Sequence, residues 1–189
     1  MNSLLVTYIL QTEKWTSPEL FETKNRIYTF LNPVSYLIAL ENKSLFEQFD
    51  GIFADGSLLV SAIRLVYGKR VTRRSFDMTS LAPELLNYLM ESRKTLYIVA
   101  SGQEQVECSV RIFQEQYPEL RIAGFRNGYF SSDAEMNKEA SHIVELNPDF
   151  LIVGMGALMQ EKFLLKVKKM GYQGIGFTCG GFVHQTAMK

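Results

Sequence analysis

The chain has 189 residues, of which 47% are hydrophobic and 21% charged, a composition typical of a folded domain and not of a disordered or fibrous chain. Twenty Lys and Arg residues balance twenty Asp and Glu residues, which argues against a protein dedicated to binding nucleic acid. The two cysteines, Cys108 and Cys179, match no metal-ligand spacing, so we expect free thiols, a reducing compartment and no zinc site.

The N-terminal part of the chain alternates apolar runs with helical patterns. Residues 4–10 form the apolar run most similar to a signal sequence, but no basic residue precedes them, so we interpret them as a strand of a cytoplasmic protein. No apolar run approaches the roughly 18 residues that a membrane-spanning helix needs. A strand is predicted over 27–31, after which Asn32 and Pro33 provide an N-cap and a first-turn proline for a helix to about Phe49.

The same alternation continues to the end of the chain, interrupted by a basic loop at 69–74. The further predicted elements are strands at 51–54, 95–100, 120–124, 150–153 and 174–179, and helices at 57–67, 80–91, 103–117, 133–146 and 158–170, with a capping box at Ser132 opening the fourth of these helices. Strands joined by helical crossovers predict a mainly parallel sheet with helices on both faces. We therefore expect a Rossmann-like, doubly wound α/β fold, organised as a single domain over residues 1–189.

Residues that follow the strands are the candidates for a ligand site, because ligands of such sheets bind beyond the carboxyl ends of the strands. Asp55 follows the third predicted strand, where its carboxylate could accept a proton from a hydroxyl group as a general base. The alternative is that Asp55 caps the next helix, as Asp often does. Gly56 would permit a tight turn or the close approach of a ligand.

A second candidate is the turn Gly154-Met155-Gly156, which lies between a predicted strand and a predicted helix. Backbone N–H groups at such a helix start can bind an anion, although close packing of the glycines is an equal alternative. Met159 replaces the third glycine of the dinucleotide fingerprint, which makes an NAD enzyme a poor match. Gln160 and Glu161 follow, where they could bind a sugar or simply complement the helix dipole.

The basic loop and one histidine complete the candidates. Arg70, Arg73 and Arg74, together with Lys69, could contact a diphosphate or an anionic membrane surface, or form a solvated face. His184 follows the last predicted strand and could touch a ligand. The chain contains no Asp-x-Asp metal motif and no Gly-x-Ser-x-Gly elbow, so we expect neither a metal-dependent sugar transferase nor a serine hydrolase.

In their order and spacing these segments resemble the WecG/TagA/CpsF glycosyltransferases, glycosyltransferase family 26. The resemblance covers about residues 27–185 and rests on Leu31-Asn32-Pro33, Ala54-Asp55-Gly56, Ser75-Phe76-Asp77, Leu96-Tyr97-Ile98 with Ser101-Gly102, Tyr117-Pro118, Gly128-Tyr129-Phe130, Asn147-Pro148-Asp149, Gly154-Met155-Gly156 and Gln160-Glu161. Members of that family transfer a sugar, often N-acetylmannosamine or its uronic acid, from a UDP donor to N-acetylglucosamine on polyprenyl diphosphate.

The resemblance implies an inverting, metal-independent reaction in bacterial surface-polysaccharide synthesis, such as that of teichoic acid or capsule, with Asp55 as the base and no cofactor. It implies work at the inner face of the cell membrane, with Arg70, Arg73 and Arg74 contacting either the diphosphate or the membrane. The positions matching the family's motifs are expected to bind substrate: Asn32, Gly56, Asp77, Gly102, Gly128, Tyr129, Gly154, Gly156, Gln160 and Glu161.

Several positions depart from the family pattern. Phe30 stands where the family usually has Thr, with Thr29 one place earlier, and Leu158 replaces a proline in the turn before Gln160. The sequence ends at Lys189, where the family usually continues with a basic, aromatic-rich tail. We therefore expect a homo-oligomer through the uncovered apolar face. The alternative function is a catalytically weak, nucleotide-sugar-binding subunit that assists a partner transferase.

Overall fold

The computed structural model describes residues 4–188, and within them six strands form one all-parallel sheet. The strands are β1 (Arg26–Leu31), β2 (Gly51–Ala54), β3 (Thr95–Ala100), β4 (Arg121–Arg126), β5 (Phe150–Gly154) and β6 (Ile175–Thr178). The helices are α1 (Leu4–Thr12), α2 (Ser17–Glu22), α3 (Pro33–Glu41), α4 (Lys43–Phe46), α5 (Ser57–Tyr67), α6 (Leu81–Glu91), α7 (Gln103–Gln116), α8 (Asp133–Leu146), α9 (Met159–Lys169) and α10 (Phe182–Ala187). The order across the sheet is β2-β1-β6-β5-β3-β4.

Helices cover both faces of the sheet, which confirms the predicted α/β class. On one face α2, α6, α7 and α10 pack over a core that includes Phe113 and Phe177. On the other face α1, α3, α4, α5, α8 and α9 pack over a core that includes Phe46 and Phe163. Because both faces are covered, strands β2, β5 and β6 are buried along their whole length and consist almost entirely of apolar residues.

The prediction of a strand at residues 4–10 is wrong, because this segment belongs to helix α1. Its buried residues are Leu5, Val6, Ile9 and Thr12, a spacing that places one helical face against the core. The β-branched residues of the run favour a strand locally, but packing against β2 outweighs that preference.

The predicted helix from Pro33 to Phe49 divides at Asn42 into α3 and α4. The Asn42 side chain donates a hydrogen bond to the Ile38 carbonyl at 2.9 Å, a local bond that competes with helix continuation. The short helices α2 and α10 were not predicted. The predicted start of α3 is confirmed, since the Asn32 side chain accepts hydrogen bonds from the backbone of Val34 and Ser35.

The remaining predicted strands and helices are confirmed within a few residues, and α5, β2 and β3 have the predicted bounds. All six strands of the described sheet run in the same direction, so their carboxyl ends meet at one edge. The turns that carry the candidate residues therefore converge at this edge.

Candidate functional site

A cleft of about 1050 Å³ opens at the carboxyl edge of the sheet, at the upper end of the range for small-molecule sites. Residues that follow all six strands line it. Pairing of Leu31 with Ala54 in adjacent strands brings the two following turns, with Asn32 and Asp55, to the same end of the cleft.

Most of the sequence-predicted site residues come together here. The predicted residues that line the cleft are Asn32, Asp55, Asp77, Gly102, Gly128, Tyr129, Gly154, Gly156 and Gln160, and His184 lines it too. The predicted residues outside its lining are Gly56, Glu161, Arg70, Arg73 and Arg74.

Asp55 lies directly after β2, where its backbone N–H donates to the Leu31 carbonyl at 2.8 Å. Its side chain is 33% exposed. Burial raises the pKa of Asp55; the positive charge of Arg73 opposes this shift, and the negative charge of Asp77 adds to it. A carboxylate with a raised pKa is a stronger base, as deprotonation of a hydroxyl group requires.

The structure does not support the alternative role of Asp55 as a helix cap. Gly56, and not Asp55, is the N-cap residue of α5. The Asp55 carboxylate accepts a hydrogen bond from the Gly56 backbone and lines the cleft.

Arg73 lies between two carboxylates at the cleft. Its Nε is 4.0 Å from Oδ1 of Asp55, and its Nη2 is 2.7 Å from Oδ2 of Asp77. Burial alone would raise the pKa of Asp77, but hydrogen bonds from Thr79 and Ser75 and the charge of Arg73 hold it below its usual value. The two acids thus have opposite tendencies: Asp77 stays ionised and fixes Arg73, while Asp55 is the more basic group.

Glu161 lies beneath the floor of the cleft and has no exposed surface. Its Oε1 accepts hydrogen bonds from the Thr29 hydroxyl at 2.9 Å and from Gln160 Nε2 at 3.0 Å. Its Oε2 accepts a bond from the Leu158 backbone N–H at 2.7 Å. Burial raises the pKa of Glu161, and these hydrogen bonds oppose the shift. The resemblance implied that Glu161 contacts substrate, whereas the structure uses both carboxylate oxygens within the protein.

Gln160 links the same network to the surface of the cleft. Besides donating to Glu161, its side-chain oxygen accepts a hydrogen bond from the Gly180 backbone at 3.1 Å. On the other side of Glu161, the Thr178 hydroxyl donates to that of Thr29 at 2.9 Å. Polar groups from β1, β6, α9 and the turn after β6 are therefore joined beneath the cleft.

The two glycines of the Gly154-Met155-Gly156 turn have different physical roles. A side chain at Gly154 would bring its Cβ within 2.6 Å of the Gly180 carbonyl oxygen, so close packing requires glycine there. Gly156 has open space around it but a φ of +81°, which favours glycine for conformational reasons. The tight-packing interpretation thus applies to Gly154, and both residues line the cleft.

The three arginines of the basic loop lie in different surroundings. Arg73 belongs to the cluster with Asp55 and Asp77. Arg74 donates to the Trp15 carbonyl at 2.9 Å and lies over the Phe53 ring at 5.1 Å, which ties it to the fold. Arg70 is exposed.

Sequence reasoning missed an aromatic part of the cleft wall. The rings of Phe30 and Phe76 have centroids 5.9 Å apart, and those of Phe76 and Phe182 are 5.4 Å apart. All three line the cleft. Phe76 lies within a segment that carried the family resemblance, but an apolar side chain gave no reason to predict a ligand contact there. Phe182 belongs to α10, which was not predicted.

Tyr129 is the most exposed aromatic residue among those lining the cleft, at 75%. Its backbone is held in place, since its N–H donates to Asn127 and its carbonyl accepts from Arg126 Nη2 at 2.8 Å. Arg126 in turn lies 4.0 Å over the Phe130 ring. A fixed backbone thus presents a free aromatic ring to the cleft.

Across residues 4–188, no group of three or more His, Cys, Asp or Glu side chains is placed to hold a metal ion. Nor does any helix in this described part have the length and apolar character needed to cross a bilayer.

Comparison with known proteins shows the family. A sequence model of the glycosyl transferase WecG/TagA/CpsF family matches residues 10–188. The chain belongs to this glycosyltransferase family. The match includes the segments that carried the resemblance and extends to the last residues of helix α1.

Curated relatives have glycosyltransferase names. A UDP-Gal:alpha-D-GlcNAc-diphosphoundecaprenol beta-1,4-galactosyltransferase of Shigella boydii is 32% identical over 163 residues, covering 86% of this chain and 68% of the relative. An N-acetylglucosaminyldiphosphoundecaprenol N-acetyl-beta-D-mannosaminyltransferase of Bacillus subtilis is 23% identical over 185 residues, covering 96% of this chain and 69% of the relative. A Staphylococcus aureus protein with the same activity name is 25% identical over 146 residues, or 76% of this chain and 56% of the relative.

Proposed function

We propose that this chain transfers a hexose from a UDP donor to a sugar carried on polyprenyl diphosphate, with inversion at the anomeric carbon. The observation that carries the proposal is Asp55, a cleft-lining carboxylate with a raised pKa, 4.0 Å from the guanidinium of Arg73. The names of the relatives support the donor and acceptor classes, since they specify UDP-Gal and GlcNAc on diphosphoundecaprenol.

In the proposed reaction, Asp55 takes the proton of the acceptor hydroxyl as its oxygen attacks the anomeric carbon. A new carbon–oxygen bond forms, and the bond from that carbon to the diphosphate breaks, so UDP leaves with the bonding electrons. Attack from the face opposite UDP inverts the anomeric carbon. The β linkages in the relatives' names agree with inversion of an α-linked donor.

The negative charge on the departing UDP needs stabilisation, and two features of the cleft can provide it. Arg73 lies outside the cleft lining, but the cleft-lining Asp77 holds it beside the cleft as a fixed cation. Helix α7 begins after its N-cap residue Gly102, which has no side chain to cap it, so we propose that its first backbone N–H groups bind an anion beside the cleft. We propose that these groups act without a bound metal ion and that the reaction uses no cofactor.

Tyr129 and Asn32 are the proposed contacts for the two ends of the donor. The exposed Tyr129 ring can stack on the uracil base. The side-chain oxygen of Asn32 is occupied as a helix cap, which leaves its amide group to donate to a sugar hydroxyl near Asp55. The other cleft-lining glycines are proposed to allow close approach of the diphosphate.

The donor sugar proposed for the first test is galactose, with N-acetylmannosamine second. The relative named for UDP-Gal shares 32% identity with this chain, against 23% for the mannosaminyltransferase of Bacillus subtilis. We propose that the product enters a bacterial surface polysaccharide and that the enzyme works peripherally at the inner face of the cell membrane.

The replacements that motivated a non-catalytic subunit leave the site assembled. Leu158, which replaces the family's proline, has a φ of +72°. Its backbone N–H donates a hydrogen bond to the Glu161 carboxylate. Phe30 packs in the aromatic wall beside Phe53 and Phe76. We therefore propose an active transferase.

The test is release of UDP from UDP-galactose and UDP-N-acetylmannosamine in the presence of a short-chain lipid diphosphate N-acetylglucosamine, with and without EDTA. Asp55→Asn is expected to lower kcat by about 10²–10⁴-fold. Asp133→Asn, an exposed change outside the cleft lining, is the matched control. UDP binding without turnover by the unaltered chain would favour the subunit, and loss of activity in EDTA would contradict the metal-independent mechanism.

A further inference from the structure

Helix α5 presents apolar residues on its outer face as well as on its inner face. Leu59 and Ile63 pack into the core. On the other side Leu58, Leu65 and Val66 are 69%, 87% and 70% exposed. With the exposed Ala62, these residues have the i, i+4, i+7, i+8 spacing of one helical face. This outer apolar face of α5 has no role in holding the described fold together.

The segment around α5 is also strongly basic. Residues 56–76 contain five Lys and Arg residues and no Asp or Glu, in a chain with a formal net charge of zero. Arg73 and Arg74 have the protein partners described above. Arg64, Lys69 and Arg70 are exposed, and none of them forms an ion pair within residues 4–188.

We infer that the outer face of α5 docks on an anionic lipid surface. Leu58, Leu65 and Val66 enter the boundary between headgroups and acyl chains, while Arg64, Lys69 and Arg70 contact the lipid phosphates. An apolar face bordered by cations is complementary to both the acyl chains and the anionic headgroups of such a surface. A helix of 11 residues is about 16 Å long and lies in the plane of the interface.

The position of α5 next to Asp55 connects this docking with the proposed function. The helix begins two residues after the cleft-lining Asp55, so its N-terminal end adjoins the turn that carries the proposed base. Docking through α5 therefore brings the cleft to the surface in which a lipid-linked acceptor is embedded. This connection rests on the proposed function, whereas the docking itself is measurable without any sugar substrate.

A second copy of the chain is a poorer occupant of the same face. In a two-fold symmetric contact, the same surface patch of both copies is buried. The interface would then contain Arg64, Lys69 and Arg70 from both copies, without an acidic residue from the segment 56–76 to compensate their charge. Anionic lipid removes this repulsion.

Vesicle flotation of the 189-residue chain tests the charge component. The probes are vesicles of phosphatidylcholine alone and of phosphatidylcholine mixed with phosphatidylglycerol. We expect binding to the mixed vesicles that weakens with salt. An Arg64→Gln, Lys69→Gln, Arg70→Gln triple variant should bind them on the order of a hundredfold less tightly. The control triple Arg111→Gln, Lys138→Gln, Lys162→Gln changes exposed residues of other helices and should bind like the unaltered chain.

A second pair of variants tests the apolar component. Leu65→Gln with Val66→Gln should lower vesicle binding about tenfold or more, while a Leu146→Gln, Met170→Gln pair elsewhere on the surface should not. UDP affinity should be unchanged in the Leu65→Gln, Val66→Gln variant, which separates lost docking from a damaged cleft. Absence of binding by the unaltered chain, or equal binding by this variant, overturns the inference. A dimer in gel filtration that this variant abolishes, without vesicle binding, would assign the face to a second copy.

Discussion

Replacing Glu161 by alanine should destabilise the protein and disable the cleft together. The substitution removes the acceptor of three hydrogen bonds, donated by Thr29, Gln160 and the Leu158 backbone, at a site with no exposed surface. An unsatisfied buried donor costs about 1–3 kcal/mol. The Thr29 hydroxyl can rotate toward another acceptor, which leaves two donors unpaired. The expected loss in the free energy of unfolding is therefore about 2–6 kcal/mol.

The conservative substitution Glu161→Gln should have a smaller effect. Its amide oxygen can still accept from Thr29 and Gln160, but its NH₂ group would face the Leu158 N–H, so one buried donor meets another. We expect a loss of about 1–3 kcal/mol. Because Leu158 holds a left-handed φ, weakening its bond should also loosen the turn before Gln160 and lower UDP affinity.

Urea unfolding, followed by the fluorescence of the single tryptophan Trp15, measures the differences in the free energy of unfolding. Calorimetric titration with UDP measures the affinity of the cleft for UDP. Glu145→Ala, a change at an exposed position of α8, is the matched control and should stay within about 0.5 kcal/mol of the unaltered chain. If Glu161→Ala unfolds like that control and binds UDP normally, the buried network does not support the cleft.

Four further predictions concern the cleft and the arginine beside it. Burial raises the pKa of Asp55 above the ordinary aspartate value of about 3.9. The acidic limb of the pH profile of kcat/KM should therefore lie at a higher pH than that value. A raised folded-state pKa also means that stability declines as pH rises through that pKa, so Asp55→Asn should unfold at neutral pH at no lower temperature than the unaltered chain; a clearly lower temperature would show that the carboxylate is structurally required. Arg73→Gln removes the cation beside Asp55 and should move the acidic limb to still higher pH, while Arg111→Gln leaves it in place; an unmoved limb in Arg73→Gln would mean that another group titrates. Tyr129→Ala should weaken UDP binding by about tenfold in calorimetry whereas Tyr129→Phe retains it, and equal affinities for all three proteins would exclude stacking.

The sequence was sufficient to predict most of the cleft residues because, in a parallel sheet, the residues that follow the strands all lie at one edge. Once strands at 51–54 and 150–153 are recognised, Asp55 and Gly154 must lie at the same edge. The local signals were also strong there: Asn32 with Pro33 marks a helix start, and Gly56 begins a turn. These features depend on a few neighbouring residues and need no knowledge of tertiary contacts.

What the sequence could not provide was the direction of individual side chains. Glu161 follows Gln160 directly, and the resemblance implies that both contact substrate, yet Gln160 lines the cleft and Glu161 is buried beneath it. The difference arises because Thr29, distant in sequence, presents its hydroxyl to Glu161. The helix at residues 4–12 was missed for a related reason, since its stability depends on packing against β2.

The arrangement of Asp55, Arg73 and Asp77 explains how an arginine can lie beside the proposed base without making it a weak base. A cation bound tightly to Asp55 alone would lower the pKa of that carboxylate and make it a poor proton acceptor. Here Arg73 makes its short contact, 2.7 Å, with Asp77 and stays 4.0 Å from Asp55. The charge of Asp77 therefore opposes the effect of Arg73 on Asp55, and burial keeps the pKa of Asp55 raised. The guanidinium stays beside the cleft, where we propose that it stabilises the charge of the departing UDP.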